Sequence, residues 1–144
     1  MKKIVLIIGY GSIGKRHAKI LKKFNNVQKI YVYTKQKSEG LDKIKNLNQI
    51  KKINPDYIII SSKTSEHYEQ LNFLEKKLSK KTILVEKPLF NEYKKLKIKN
   101  NKVIVGYNLR FHPIINFLKK YIEKKKIYSV NISCESYLPK WRKI

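Results

Sequence analysis

Five apolar runs of four or five residues punctuate the chain: Ile4–Ile8, Ile30–Thr34, Tyr57–Ser61, Thr82–Glu86 and Val103–Gly106. Short continuous runs of this kind read as strands covered on both faces. Between them the apolar positions recur every three or four residues. Ile13, His17, Ile20, Leu21 and Phe24 share one face of a helix over about Ser12–Phe24, with Lys15, Lys19, Lys22 and Lys23 opposite. Leu41, Ile44 and Leu47 predict a weaker helix over about Leu41–Lys52. After the turn Asn54-Pro55-Asp56 and the third run, Tyr68, Leu71, Leu74 and Leu78 form the inward stripe of a helix from about Ser65. Glu66 and Glu69 suit the positive start of that helix. A short lysine-rich helix is expected near Asn91–Lys97. Pro113 opens a last helix, with Ile114, Phe117, Leu118, Tyr121 and Ile122 on its apolar face.

Strands alternating with helices predict βαβ units and one parallel sheet, an α/β doubly wound fold. The final segment departs from this. Val130, Ile132 and Cys134 alternate with Asn131, Ser133 and Glu135, the pattern of a half-buried strand. It reads as the first strand of an incomplete second α/β domain. The expected division is therefore residues 1–125 and 126–144. A strand there without sheet neighbours would be a sticky edge, through which the chain self-associates or forms a homo-oligomer.

The first junction carries chemistry. Gly9-Tyr10-Gly11-Ser12-Ile13-Gly14 stands between an apolar strand and an amphipathic helix, the context that G-x-G-x-x-G requires for dinucleotide binding. Gly9 permits a tight turn, Gly11 lets backbone approach a pyrophosphate, and Gly14 lets helix and strand pack closely. Free N–H groups at the helix start then face two phosphates. The fold class narrows to the Rossmann arrangement. Such a site for NAD takes Asp or Glu about 20 residues on, at the end of the second strand, to bind the ribose 2′-hydroxyl. Here that place is Tyr33-Thr34-Lys35. Thr34 and Lys35 suit a 2′-phosphate, so the expected cofactor is NADP or NAD, with NADP favoured.

Composition changes the picture little. The formal charge is +24, but the 34 basic residues include only three arginines, Arg16, Arg110 and Arg142. Lysines scattered along the whole chain make a solvated surface that attracts polyanions without sequence preference, whereas base readout favours the arginine fork. No specific nucleic-acid partner is expected. Cys134 is the only cysteine, and His17, His67 and His112 show no ligand spacing, so no metal site is expected. No targeting or membrane-spanning run is apparent, and a reducing cytoplasm is the default location.

The motifs together resemble the Gfo/Idh/MocA oxidoreductases. Gly9–His17 is similar to that family's opening motif, Ser65-Glu66-His67 to its (T/S)-x-x-H element, and Glu86-Lys87-Pro88 to its E-K-P signature. Gly106–Pro113 resembles its fifth-strand segment, and Ser136–Trp141 the start of the second domain in members tied to sugar and surface-polysaccharide metabolism. The resemblance implies hydride transfer between a nicotinamide dinucleotide and a hydroxyl of a sugar or nucleotide sugar. It places Lys87 near the nicotinamide as the catalytic residue.

The candidate cofactor-binding residues are Gly9, Tyr10, Gly11, Ser12, Ile13, Gly14, Thr34, Lys35, Ser61, His67, Glu86, Lys87 and Arg110. Glu86 either orients Lys87 or simply ends its strand. Arg110 is a substrate or cofactor contact or a surface ion pair. His17 reads as a packed, hydrogen-bonded histidine, and His67 as structural or cofactor-adjacent. Tyr137 and Trp141 line a sugar pocket or stand exposed. Two other functions stay open: a truncated nucleotide-binding module without catalysis, and a basic nonspecific nucleic-acid binder.

Overall fold

The computed structural model describes residues 2–38, 40–133 and 135. It forms two units, Met1–Tyr107 and Asn108–Ile144. In the first, the apolar runs become the strands β1 (Lys3–Ile8), β2 (Val27–Tyr33), β4 (Tyr57–Ile60), β5 (Thr82–Val85) and β6 (Lys102–Val105), joined by the short β3 (Asp42–Ile44). All pair in parallel in the order β3-β2-β1-β4-β5-β6. The order reverses between β1 and β4, where open α/β sheets form a crevice at the carboxyl ends of their strands.

The central strands are apolar over Ile4–Ile8, Tyr57–Ile60 and Ile83–Val85 because both of their faces are covered. Leu6, Ile8, Ile58 and Ile60 pack with Leu71, Leu74 and Leu78 on the side of helix α3 (Thr64–Lys77). Their neighbours in sequence, Val5, Ile7 and Ile59, pack with Ala18 and Leu21 of helix α1 (Ser12–Leu21). The period of two along each strand thus divides one apolar run between two cores. Tyr68 is half-buried, edge-on to Phe90.

Two expected helices are absent. Leu41–Lys52 is not one helix. Asp42–Ile44 pairs with Tyr31–Tyr33 as β3, and Ile44 is buried. Asn46 then opens a new turn, Leu47–Gln49, which leads into helix α2 (Ile50–Ile53). The Asn46 side chain accepts the Asn48 N–H, and the Gln49 side chain accepts the Asn46 N–H, a reciprocal cap. The stripe Leu41-Ile44-Leu47 mixed a strand residue with a helix start.

Asn91–Lys97 is coil. Of its apolar side chains only Leu96 packs on the core, while Tyr93 is exposed. One buried residue does not offset the cost of nucleating a short helix. The segment is fastened instead at its end by Glu75, which is buried in α3. Its carboxylate accepts the N–H groups of Lys99 and Asn100 and the side-chain amide of Asn101.

Burial alone would raise the Glu75 pKa. The hydrogen bonds from Asn100, Asn101 and Lys99 together outweigh it and hold the carboxyl below the usual glutamate range. The Ile4 amide, assisted by Lys3, likewise lowers Asp56. A lowered folded pKa contributes stability that is complete above the unfolded value and is lost as pH falls through the folded one. Glu75→Gln should therefore cost about 1–3 kcal/mol at neutral pH, since it turns an amide N–H₂ on the Asn101 donor. The difference from the unaltered chain should shrink on acidification below the glutamate range. Urea unfolding at several pH values measures this.

The second unit holds a 3₁₀ turn (Asn108–Phe111) and helix α4 (Pro113–Ile122), with the His112 side chain accepting the Ile114 N–H at its start. Residues 126–133 and 135 pair with no strand. Val130 and Ile132, assigned to a half-buried strand, are exposed. A strand is held by a neighbour, and none lies beside this segment among the described residues. Cys134, Ser136–Trp141, Tyr137 and Trp141 lie outside the described residues. No helix among the described residues is long and apolar enough to cross a membrane, and no cluster of metal-ligating side chains occurs among them.

Candidate cofactor site

Every candidate of the first unit stands at the carboxyl ends of the strands or just beyond them. Gly9 follows β1, Thr34 follows β2, Ser61 follows β4, and Glu86 and Lys87 follow β5. Backbone bonds prolong the sheet into this edge: Gly9 N–H to Tyr33, Ser61 N–H to Ile8, Glu86 N–H to Ile60 and Gly106 N–H to Val85.

The three motif glycines differ in what requires them. Gly9 has φ +89°, and a Cβ there would lie 2.5 Å from the Ser62 nitrogen. Gly14 is buried, and a Cβ would overlap the Gly9 carbonyl. The protein itself explains these two. Gly11 is different. Its φ of −72° and ψ of −164° suit any residue, and a Cβ would meet nothing within 4 Å. The space beside Gly11 is open, at the start of a ten-residue helix. No side chain caps that helix, and no acidic residue lies in its first turn. Uncapped N–H groups at the positive end of a helix, beside room that a side chain would fill, suit a pyrophosphate. The residues therefore fit a dinucleotide.

Around this turn, Tyr10 packs against the α1-side core, while Ser12 and Ile13 are exposed. The Ser61 hydroxyl donates to the Gly9 carbonyl at 2.9 Å and so braces the turn from β4. Thr34 is half-buried, its hydroxyl oxygen accepting the Gln36 N–H, and Lys35 is exposed.

His67 is buried, with Nδ1 3.2 Å from the carbonyls of both Pro88 and Leu89 and Nε2 3.3 Å from that of Ser62. It fastens the segment after Lys87 to the loop after β4. The Lys87–Pro88 bond is cis, and Lys87 is exposed at the edge. Glu86 does not run toward Lys87: its Oε1 lies 2.7 Å from His17 Nε2 of α1. Gly106 abuts the same carboxylate, since a Cβ there would come within 3.3 Å of it. Neither contact was legible from spacing. Arg110 is exposed in the 3₁₀ turn of the second unit.

A surface hollow of about 300 Å³ lies at the opposite ends of β2 and β3, lined by Lys22, Val27, Lys29 and Asp42. It has none of the glycine-turn geometry.

The fold recurs in solved dehydrogenases. Myo-inositol 2-dehydrogenase from Lactobacillus plantarum matches with TM-score 0.71 and 20% identity over 85% of this chain and 41% of its own. Scyllo-inositol dehydrogenase from Lactobacillus casei, with bound NAD(H) and scyllo-inositol, matches with TM-score 0.67 and 19% identity over 85% and 41%. The WlbA dehydrogenase from Bordetella pertussis, in complex with NADH and UDP-GlcNAcA, matches with TM-score 0.68 and 14% identity over 85% and 42%. The chain spans about two-fifths of the length of these proteins. No curated protein sequence matches it. The family model described as an oxidoreductase family with an NAD-binding Rossmann fold matches residues 3–107. With its glycine turn, sheet order and this match over most of its length, the chain belongs to the Gfo/Idh/MocA oxidoreductase family, of which it carries the NAD-binding domain.

Proposed function

We propose that the chain binds a nicotinamide dinucleotide along the carboxyl edge of its sheet and serves oxidation of a hydroxyl on a sugar-like or nucleotide-sugar substrate. The observation that carries this reading is the open space beside Gly11 at an uncapped helix start. The N–H groups of residues 12–14 would hold the pyrophosphate, Thr34 and Lys35 would meet the adenosine ribose, and Lys87 would face the nicotinamide end. The ligands of the inositol and nucleotide-sugar dehydrogenases support the substrate class. Residues 1–125 form the cofactor domain, and 126–144 begin a substrate domain.

A bound nicotinamide supplies the hydride acceptor. The Lys87 amine polarises the substrate hydroxyl, or takes its proton as the hydride leaves the same carbon. Lys87→Ala should accordingly lower kcat in a longer, active form while leaving cofactor affinity near its original value.

The cofactor end of β2 lacks a carboxylate, so NADP should bind more tightly than NAD, by about tenfold if Lys35 meets the 2′-phosphate. Calorimetric titration of the chain with both dinucleotides tests the function and the preference together. No binding of either would refute the site, and tighter NAD would refute the preference.

A further inference from the structure

Lys87 stands between two histidines that arrive from opposite faces of the sheet. Helix α1, on one face, brings His17 to Glu86, the residue before Lys87. Helix α3, on the other, brings His67 to the carbonyls of Pro88 and Leu89, the residues after it. The ladder that fixes β5 ends at Val85, and Glu86 N–H makes the last sheet-like bond, to Ile60. The direction in which the chain leaves the sheet is therefore set by side chains. His67 holds Lys87 to the loop after β4. His17 holds it to α1, whose first turn is the proposed phosphate site.

The His17 and Glu86 side chains are 23% and 19% exposed. That separates the pair from a solvated surface contact, which would fix little. Gly106 backs the same carboxylate closely: a Cβ there would come within 3.3 Å of it, so that the carboxylate would have to give way by a few tenths of an ångström. Glu86 is thus held on the His17 side, in a place where its carboxylate is spent on the histidine.

We propose that His17 is a positioning residue. Through Glu86 it fixes the Lys87 segment relative to α1, so that a dinucleotide seated on the glycine turn presents its nicotinamide end to Lys87 in one register. The proposal rests on the cofactor reading above. It assigns Glu86 to holding the lysine segment rather than to touching the cofactor.

The test is titration of the 144-residue chain with NADH and with ADP-ribose, which shares the phosphates and lacks the nicotinamide. His17→Leu and Glu86→Ala should each weaken NADH about tenfold and leave ADP-ribose within about twofold. His17→Gln still presents a side-chain donor to Glu86 and should restore NADH affinity, whereas a packing role would be served by leucine. The double variant His17→Leu/Glu86→Ala should be no weaker than either single one, because both remove the same contact. NADH should also shield Lys87 from acylation in the unaltered chain and fail to do so in the two weakened variants. If His17→Leu does not fold, Glu86→Ala reads the same split. Equal loss of both ligands, additive losses, or shielding that survives in the variants would overturn the proposal alone. Failure of the unaltered chain to bind either ligand would overturn the cofactor reading, and this proposal with it.

Discussion

Gly11→Val should weaken dinucleotide binding at least about 100-fold, the loss of roughly two charge-assisted bonds from backbone N–H to phosphate, while leaving the stability of the chain near its original value. The backbone at Gly11 is extended, a conformation valine adopts freely, and a Cβ there would meet nothing within 4 Å. The substitution therefore touches only what enters the space from outside. Calorimetry with NADPH and urea unfolding of the same preparation separate the two effects. Retained affinity would show that the space beside Gly11 is not a phosphate path.

Gly9→Ala should do the reverse and damage the fold. The left-handed φ of Gly9 strains any L side chain, and the added Cβ would press on the backbone of Ser61 and Ser62. Strain of this kind and overpacking each cost about 1–3 kcal/mol, so a loss of about 2–5 kcal/mol is expected. The Ser61 hydroxyl bond to the Gly9 carbonyl would move with the turn. Urea midpoints measure the loss, and a change below about 1 kcal/mol would mean that the turn relaxes without cost. Two glycines two residues apart are thus expected to fail in opposite ways, one in binding and one in folding.

What the sequence disclosed, it disclosed through local patterns. The strands that became β1, β4 and β5 are short and apolar on both faces, and the glycine turn leads from β1 into α1, the strand-to-helix context that its motif requires. The inward stripe Leu71, Leu74 and Leu78 was equally plain, and all three are buried. The three-residue β3 was hidden because its only buried side chain, Ile44, also fits a helical stripe. The cap at Asn46 and Gln49 was present as N-x-x-Q and would have divided that segment correctly. The coil at 91–97 has no local signature, since its end is held by Glu75 from another helix.

The surroundings of Lys87 depend on still longer range. His17 and Glu86 lie 69 residues apart in sequence. Periodicity placed His17 on the inward face of α1 and the E-K-P resemblance placed Glu86 at a strand end. Only the sheet order, which sets β4 alone between β1 and β5, brings the two together.

The most direct measurement of the central claim follows the backbone amide resonances of the chain as NADPH is added at 0.15 M salt. Saturable shifts are expected at Gly9–Gly14, at Thr34 and Lys35, and at Lys87, all with one dissociation constant. Shifts that are absent there, or that scatter over the surface lysines and vanish with added salt, would contradict a dinucleotide site at the glycine turn.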